Sequence, residues 1–163
     1  MIRRLGPDEA SVFRVIRREA LITTPEAFAS TTAYLDAQTD ADLADRLSNI
    51  PTFAAFEGDT PVGLMGYMRE SGDVMGHRAF LINVYVSPSQ RGKGLARGLL
   101  THVLDAAASE GITQMELMVT VQNTSAIAVY ERAGFQIVGT IPNGMCHDGQ
   151  MSDEYIMVKP IAP

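Results

Sequence analysis

The order of apolar and polar residues in the first third of the chain predicts a strand followed by two helices. Residues 1–5 have the composition of a short edge strand. The segment Pro7–Glu9 then opens a helix, because acidic side chains are favoured at the positive end of the helix dipole. Apolar residues recur along this helix at helical spacing, at Val12, Phe13, Ile16 and Ala20. After an irregular segment over about 23–39, residues 40–49 predict a second helix.

The middle of the chain predicts strands around one long helix. Residues 52–68 predict two strands joined by a turn at Gly58–Asp59. Residues 79–86 are nearly all apolar and rich in β-branched and aromatic side chains, which is typical of a central strand covered on both faces. A helix is predicted from 92 to about 109, and the next strand lies within 112–121. This is the one clear strand-helix-strand unit of the chain.

The last third predicts a short helix and two closing strands. The helix lies between Asn123, its N-cap, and Gly134, its C-terminal glycine. Residues 135–141 and 153–161 predict strands, with a loop over 142–150 between them. The order of elements predicts an α/β fold with one mixed sheet.

Composition limits the class of protein. The 163 residues suffice for one domain, predicted over 1–163, and 46% are apolar, as in soluble globular proteins. Apolar runs are far shorter than the roughly 20 residues of a membrane span, and the charged N-terminus is unlike a secretory signal. A single cysteine, Cys146, fits a reducing cytoplasm. The net charge of −6 argues against binding of nucleic acid or an anionic membrane.

The stretch 87–100 is typical of a phosphate-binding loop. Three glycines alternate there with three basic residues before an apolar helix, at Gly92, Gly94, Gly98, Arg91, Lys93 and Arg97. Free N–H groups and the helix dipole bind anions at such a point. The stretch lacks the Walker A pattern, and its third glycine comes one position late for a dinucleotide fingerprint. A glycine-rich turn with a solvated basic face is the alternative.

Two motifs in this chain resemble those of the GCN5-related N-acetyltransferase (GNAT) superfamily. The acetyl-CoA loop motif of that family, Gln/Arg-x-x-Gly-x-Gly/Ala, is filled by Arg91, Gly94 and Ala96. A second signature is carried downstream by Asn123, Tyr130, Gly134 and Phe135. The motifs stand in the order found in the family, and the predicted elements are similar to its fold over essentially the whole chain.

The resemblance implies a fold, a cosubstrate and a binding site. It implies a mixed sheet of about six or seven strands flanked by about four helices, splayed between the two central strands. It implies acetyl-CoA as cosubstrate and no metal. The coenzyme contacts that it implies fall on Val84, Tyr85, Val86, Arg91, Gly92, Lys93, Gly94, Leu95, Ala96, Arg97, Asn123 and Tyr130.

Tyr130 is the candidate general acid that protonates the leaving thiolate. It lies about two helical turns from Asn123, so both side chains share one face of the helix. A phenol with a pKa of about 10 protonates a thiolate whose conjugate acid is near 8.5 only with help from geometry. The alternative is a core tyrosine on an apolar stripe, with Asn123 acting only as a helix cap.

The general base has no clear candidate. Two positions that often carry a base glutamate in the family fall on Phe80 and Met118, neither of which accepts a proton. Glu116 shares a strand face with Met118 and is a weak candidate, with an exposed surface position as its alternative. His147 and Asp148 are further candidates, as are a water chain and an amine bound in its neutral form.

Adjacent residues rarely form a catalytic relay, so Cys146, His147 and Asp148 are not expected to act as a nucleophilic triad. They also lack the spacing of a zinc site.

These observations predict an N-acetyltransferase that moves an acetyl group directly from acetyl-CoA to a primary amine, on a small molecule or a peptide N-terminus. The resemblance places the acceptor near residues 23–33 and the loop 142–150. A non-catalytic acyl-CoA sensor of the same fold is the alternative, favoured by the missing glutamates. The protein is expected to be a monomer or a homodimer.

Overall fold

A computed structural model describes residues 1–161 and contains a mixed sheet of seven strands in the order β1-β2-β3-β4-β5-β7-β6. The strands are β1 (Ile2–Arg4), β2 (Thr52–Glu57), β3 (Thr60–Arg69), β4 (Arg78–Val86), β5 (Gln114–Thr120), β6 (Gln136–His147) and β7 (Gln150–Pro160). The helices are α1 (Ala10–Thr23), α2 (Thr32–Asp36), α3 (Asp40–Asn49), α4 (Leu95–Ser109) and α5 (Thr124–Arg132). The predicted fold class is confirmed.

Each face of the sheet is covered by its own apolar core. On one face, α1 and α3 bury residues such as Phe13, Ile16 and Leu43 against the sheet. On the other, α4 contributes Leu99 and Val103 to a larger core. The amphipathic stripes seen in the sequence therefore face the sheet from opposite sides. Of the described helices, none is both long and apolar enough to cross a bilayer.

A bulge in β4 reverses the alternation of its side chains. Leu81 packs into the core under α4, whereas Tyr85 packs into the core under α1, although an even spacing normally points both to one face. The reversal arises because Asn83 has a φ of 58° and is one residue in excess of the β3 register. The bulge therefore sends Val84 and Val86 to the α4 side.

The central strands separate shortly after they meet. Strands β4 and β5 run parallel and pair only between Arg78–Phe80 and Gln114–Glu116. Beyond that point β5 continues to pair with β7, and β4 continues to pair with β3. The opening between β4 and β5 is the predicted splay, which is confirmed and is called the wedge below.

The start of one helix and the content of one segment differ from what the sequence predicts. Helix α4 begins at Leu95 rather than 92, because Gly92 and Gly94 both have positive φ angles, of 77° and 79°. The segment expected to be irregular contains α2, whose N-cap Thr31 accepts a hydrogen bond from the Tyr34 N–H at 3.2 Å.

The loop expected over 142–150 is also wrong, because most of it is strand. Residues 142–144 form an irregularity within β6, where Asn143 has a φ of 52°. The actual turn is Asp148–Gly149, with positive φ angles of 48° and 77°. That pair has the chemistry of a tight hairpin turn.

Candidate functional site

The loop before α4 presents a row of unpaired backbone N–H groups. Within the described chain, the backbone N–H groups of residues 92–97 donate no hydrogen bond to a protein acceptor. A Cβ added at Gly92 or Gly94 would meet no atom within 4 Å, so the backbone is open to an approaching ligand. These N–H groups and the N-terminus of α4 together form an anion-binding site. Gly98 serves packing instead, since a Cβ there would lie 2.8 Å from Ile2 Cδ1.

The wedge presents a second row of backbone groups, which have no partner in the neighbouring strand β5. Val84, Tyr85 and Val86 lie beyond the last β4–β5 pair, so their β5-facing groups have no strand partner. Their other groups are occupied by β3, whose Gly63 and Leu64 stand opposite Val86 and Tyr85. Extended, amide-rich ligands bind to such an edge in the manner of an added strand.

The loop and the wedge open into one cavity of about 1130 Å³. Ligand pockets usually measure about 300–1,000 Å³, so this one accommodates a large, extended ligand. Of the residues singled out in the sequence, those that line it are Val84, Tyr85, Val86, Arg91, Gly92, Gly94, Leu95, Ala96, Arg97, Asn123 and Tyr130. Lys93 is absent from the lining, and its Nζ donates to Gln90 Oε1 at 2.7 Å.

The basic side chains of the loop differ in their contacts. Arg91 Nε donates to the Val86 carbonyl at 3.1 Å, which ties the loop to the end of β4. Gln90, which receives the bond from Lys93, donates to Glu57 Oε2 at 2.6 Å. Arg97 is exposed and lines the cavity, which leaves its guanidinium available to a phosphate.

Tyr130 is both a core residue and a cavity residue. It is 6% exposed, and its ring packs on Phe135 with centroids 5.7 Å apart and planes tilted by 59°. Its hydroxyl has no hydrogen-bond partner among residues 1–161. Burial raises the pKa of this phenol above its ordinary value, so it is protonated at neutral pH. The hydroxyl is therefore a free donor in the cavity wall.

Asn123 caps α5 and retains a free donor. Its Oδ1 accepts from the Ala126 N–H at 3.3 Å and from Ser125 Oγ at 3.2 Å. Its Nδ2 is not used in the cap, so the amide end can donate to a carbonyl in the cavity.

Glu116 is poorly placed to act as a base. It is 4% exposed, which rules out the alternative of an exposed surface position. Its carboxylate accepts both Nε and Nη2 of Arg78, the latter at 2.8 Å, and Gln114 Nε2 at 2.8 Å. The Arg78 guanidinium lowers the pKa of Glu116 below its usual range, which weakens it as a proton acceptor. It does not line the cavity.

The contiguous residues Cys146, His147 and Asp148 lie away from this cavity. They sit at the tip of the β6–β7 hairpin, where Cys146 is exposed and His147 Nε2 lies 3.3 Å from Asp148 Oδ2. Neither they nor the rest of 142–150 line the cavity. Residues 142–150 therefore do not line this cavity, and their contact with the acceptor stays a prediction.

Sequence reasoning missed several residues near the acceptor side. Glu26 and Ala27 line the cavity from a short 3₁₀ helix, Pro25–Ala27, and Thr24 lines it from the position just before that helix; all three fall within the expected segment 23–33. A second, smaller cavity next to the wedge is lined by Arg17, Arg46 and Asn83, among others. The sequence weakly indicates burial for one of them, because Arg17 directly follows Ile16 on the buried side of α1.

Comparisons with known proteins agree with this geometry. Residues 15–135 match the model of the Acetyltransferase (GNAT) family. The chain is 34% identical over 84 residues to the ribosomal protein bS18-alanine N-acetyltransferase of Escherichia coli (strain K12), covering 52% of this chain and 57% of that protein. The chain thus spans about half the length of the curated relatives it matches, as that 57% illustrates.

Solved structures share the fold over nearly the full chain. A GNAT-family acetyltransferase from Streptococcus pneumoniae superposes with a TM-score of 0.87 at 23% identity, covering 99% of both chains. A GNAT superfamily phosphinothricin acetyltransferase from Sinorhizobium meliloti, solved in complex with acetyl-CoA, superposes with a TM-score of 0.82 at 21% identity, covering 99% of this chain and 88% of that one.

Proposed function

This chain belongs to the GNAT family of acetyltransferases, and from that premise we propose that it transfers an acetyl group directly from acetyl-CoA to a primary amine. The amine belongs to a small molecule or to a peptide N-terminus. The observation that carries the proposal is the single cavity lined both by the unpaired N–H groups of 92–97 and by the unpaired edge of β4.

Acetyl-CoA supplies chemical groups that match these two rows. The pyrophosphate is an anion and suits the N–H groups of residues 92–97 at the start of α4. The pantetheine arm carries amides and suits the backbone groups of Val84–Val86 along the wedge. The Asn123 amide, at the opposite side of the wedge, is a donor for the same arm.

The reaction needs one negative charge stabilised and one proton supplied. The amine nitrogen attacks the thioester carbon, so an N–C bond forms while the C–S bond breaks and the sulfur leaves as a thiolate. A β4 backbone N–H near Val86 is our candidate donor to the developing oxyanion. Tyr130 is our candidate donor to the thiolate.

Proton transfer from Tyr130 is uphill unless it is coupled to bond breaking. Ordinary phenol and thiol pKa values already differ by enough to cost about 2 kcal/mol, and burial of Tyr130 increases that difference. We therefore propose that the proton of Tyr130 moves to the sulfur as the C–S bond breaks and charge develops there.

The acceptor amine must lose a proton. Glu26 is the carboxylate among the described residues that line the cavity, and we propose it as the proton acceptor instead of Glu116. We place the protein in the cytoplasm as a monomer or homodimer, with acetyl-CoA and an amine as its partners and neither nucleic acid nor membrane among them.

A non-catalytic acyl-CoA sensor is the second candidate. It is favoured by Phe80 and Met118 at the positions where related enzymes often carry a base, and by the pairing of Glu116 with Arg78.

Two measurements test these alternatives. Thermal unfolding with acetyl-CoA at about 100 times its Kd should show about 2.7 kcal/mol of added stability, and NADPH should add none. Release of free thiol is then followed with a panel of amines. An enzyme gives amine-dependent thiol release, whereas a sensor gives the thermal shift alone. Stabilisation by NADPH but not by acetyl-CoA would refute both candidates.

A further inference from the structure

The smaller cavity beside the wedge contains three buried donors without acceptors. It measures about 40 Å³ and lies between α1, α3, the 30–38 segment and the bulge of β4. Arg17 Nη1, Arg46 Nε and Asn83 Nδ2 are each buried and lack a hydrogen-bond partner within the described chain. Arg17 is only 8% exposed. All three atoms carry hydrogens to donate, and none of the three is bonded to an acceptor within the described chain.

Nearby carboxylates do not neutralise the two arginines. Asp36 pairs with Arg18, and Asp40 pairs with Arg14 at 2.8 Å. Within residues 1–161, the side-chain bond that Arg17 makes runs from its Nη2 to the neutral Ser30 Oγ, at 2.6 Å. Burial, with a further contribution from Arg46, lowers the pKa of Arg17 to about 10, so its charge persists at neutral pH. A buried charge without a counter-charge is costly and needs an explanation.

Aromatic rings hold the two guanidinium groups in place. Arg17 Cζ lies 4.4 Å from the centroid of the Phe28 ring, and Arg46 Cζ lies 5.7 Å from the centroid of the Phe13 ring. Stacking covers the flat faces of the guanidinium groups and leaves their edges available for hydrogen bonds. The donors are therefore positioned before any ligand binds.

The two cavities are lined by residues that are neighbours along the chain. Asn83 immediately precedes Val84, the first wedge residue that lines the large cavity. Leu21 lines the small cavity, and Thr24, one helical turn later, lines the large one. The two cavities share no lining residue, but they approach each other along the chain at these two points, on β4 and at the end of α1.

We propose that the small cavity binds the carboxylate of the acceptor, so that the substrate class is a small primary amine with a free carboxylate, such as an amino acid. The inference rests on the proposed acetyl transfer. A carboxylate supplies acceptors for several donors at once and one negative charge for the arginine pair. A cavity of about 40 Å³ is small and suits a carboxylate better than a larger anion.

The first test compares amines that differ only in this group. Each amino acid is assayed beside its carboxamide and its decarboxylated amine, with aminoalkyl phosphonates as a separate anionic arm. The free acid should have the highest kcat/KM, by about 10- to 100-fold over the carboxamide, because charged hydrogen bonds are lost in the latter. Preference for the phosphonate would instead identify a larger anion. Equal or better turnover of the carboxamides would overturn the inference while leaving the proposed function intact.

The second test needs no turnover. N-acetylglycine and N-acetylglycinamide are product-like probes that differ in charge, and thermal shifts are measured with each at equal concentration. N-acetylglycine should stabilise the wild type, and N-acetylglycinamide should not. A shift with N-acetylglycine but no amine turnover would leave the anion site standing and refute the proposed enzyme. No shift with N-acetylglycine would overturn the anion site.

Matched variants locate the effect. Arg17→Met should abolish the N-acetylglycine shift and raise KM for the free acid about 10- to 100-fold, with KM for acetyl-CoA unchanged. Arg17→Lys keeps the charge but loses the planar guanidinium with its paired N–H donors. Its KM for the free acid should therefore lie between those of the wild type and Arg17→Met. Arg18→Met is the control, because Arg18 is on the same helix but exposed and paired with Asp36. If Arg17→Met keeps the wild-type preference for the free acid, the carboxylate is bound elsewhere and the inference is wrong.

Discussion

Replacing Tyr130 by phenylalanine separates a core role from an acid role. The ring packs on Phe135 and belongs to the core under α4, and phenylalanine retains those contacts. The hydroxyl has no protein hydrogen bond within residues 1–161, so its removal should change the free energy of unfolding by at most about 1 kcal/mol. The fold and the affinity for acetyl-CoA should therefore survive.

The expected loss lies in kcat. A lost general acid lowers the rate by about 10²- to 10⁴-fold, which is about 3–5 kcal/mol in the transition state. Release of CoA thiol is measured at saturating acetyl-CoA over a range of pH. A solvent isotope effect establishes that the chemical step limits the rate.

Tyr67→Phe is the matched control for this experiment. Tyr67 is fully buried in the same core but does not line the large cavity. Its variant loses a tyrosine hydroxyl from the core without removing a donor from the cavity, so kcat should stay near the wild-type value. If Tyr130→Phe also retains more than about half of the wild-type kcat, with chemistry limiting, Tyr130 is not the acid. The free hydroxyl of Tyr130 would then have no part in proton transfer.

Three further predictions concern the loop and the two carboxylates. Gly94→Glu should weaken acetyl-CoA binding at least tenfold by calorimetry, because it places a negative side chain among the N–H groups. Gly111→Glu is the control: Gly111 has a similar positive φ at the other end of α4, so this variant should suffer only the backbone strain of about 1–2 kcal/mol. Glu116→Gln should leave kcat near wild type and flatten the acid side of the stability curve. The lowered pKa of Glu116 stabilises the folded state above the ordinary value of 4.5, and that stability is lost as the pH falls through the lower folded value; a large fall in kcat at neutral pH would restore Glu116 as a base. Glu26→Gln should lower kcat/KM about tenfold or more near neutral pH, with less effect at high pH where the free amine is abundant; an unchanged pH profile would exclude Glu26.

The sequence predicts the elements well where local pattern and tertiary packing agree. Strand β4 is nearly all apolar, and α4 has one apolar stripe. Each has one arrangement that buries its apolar residues, so both elements could be predicted from the sequence. Turn chemistry was harder to interpret, because two glycine-containing segments compete near the end of the chain. Residues 142–144 have the composition of a turn but form a bulge, whereas Asp148–Gly149 makes the hairpin.

The candidate site, like the fold, was predictable from the sequence only in part. The loop before α4, which offers its backbone N–H groups, could be predicted from the sequence because its positive φ angles require residues such as Gly92 and Gly94. The arginine cavity is not, since Arg17 and Arg46 come from separate helices and look like ordinary charged residues of amphipathic helices. Only the bulge at Asn83, a tertiary feature, brings a third donor to them. The burial of Glu116 was missed for a related reason, because its partner Arg78 lies on the neighbouring strand.

The strand order has a consequence for synthesis on the ribosome. Strand β7 lies between β5 and β6 and pairs with β5 along its whole length, Gln114–Thr120. Until β7 emerges, β5 has only its short contact with β4, and one wall of the wedge lacks support. We expect a nascent chain stalled before residue 150 to bind no acetyl-CoA, although the loop at 92–97 has long been translated. The strands from β1 to β4 can pair during translation, whereas the binding site is completed only after β7 has emerged.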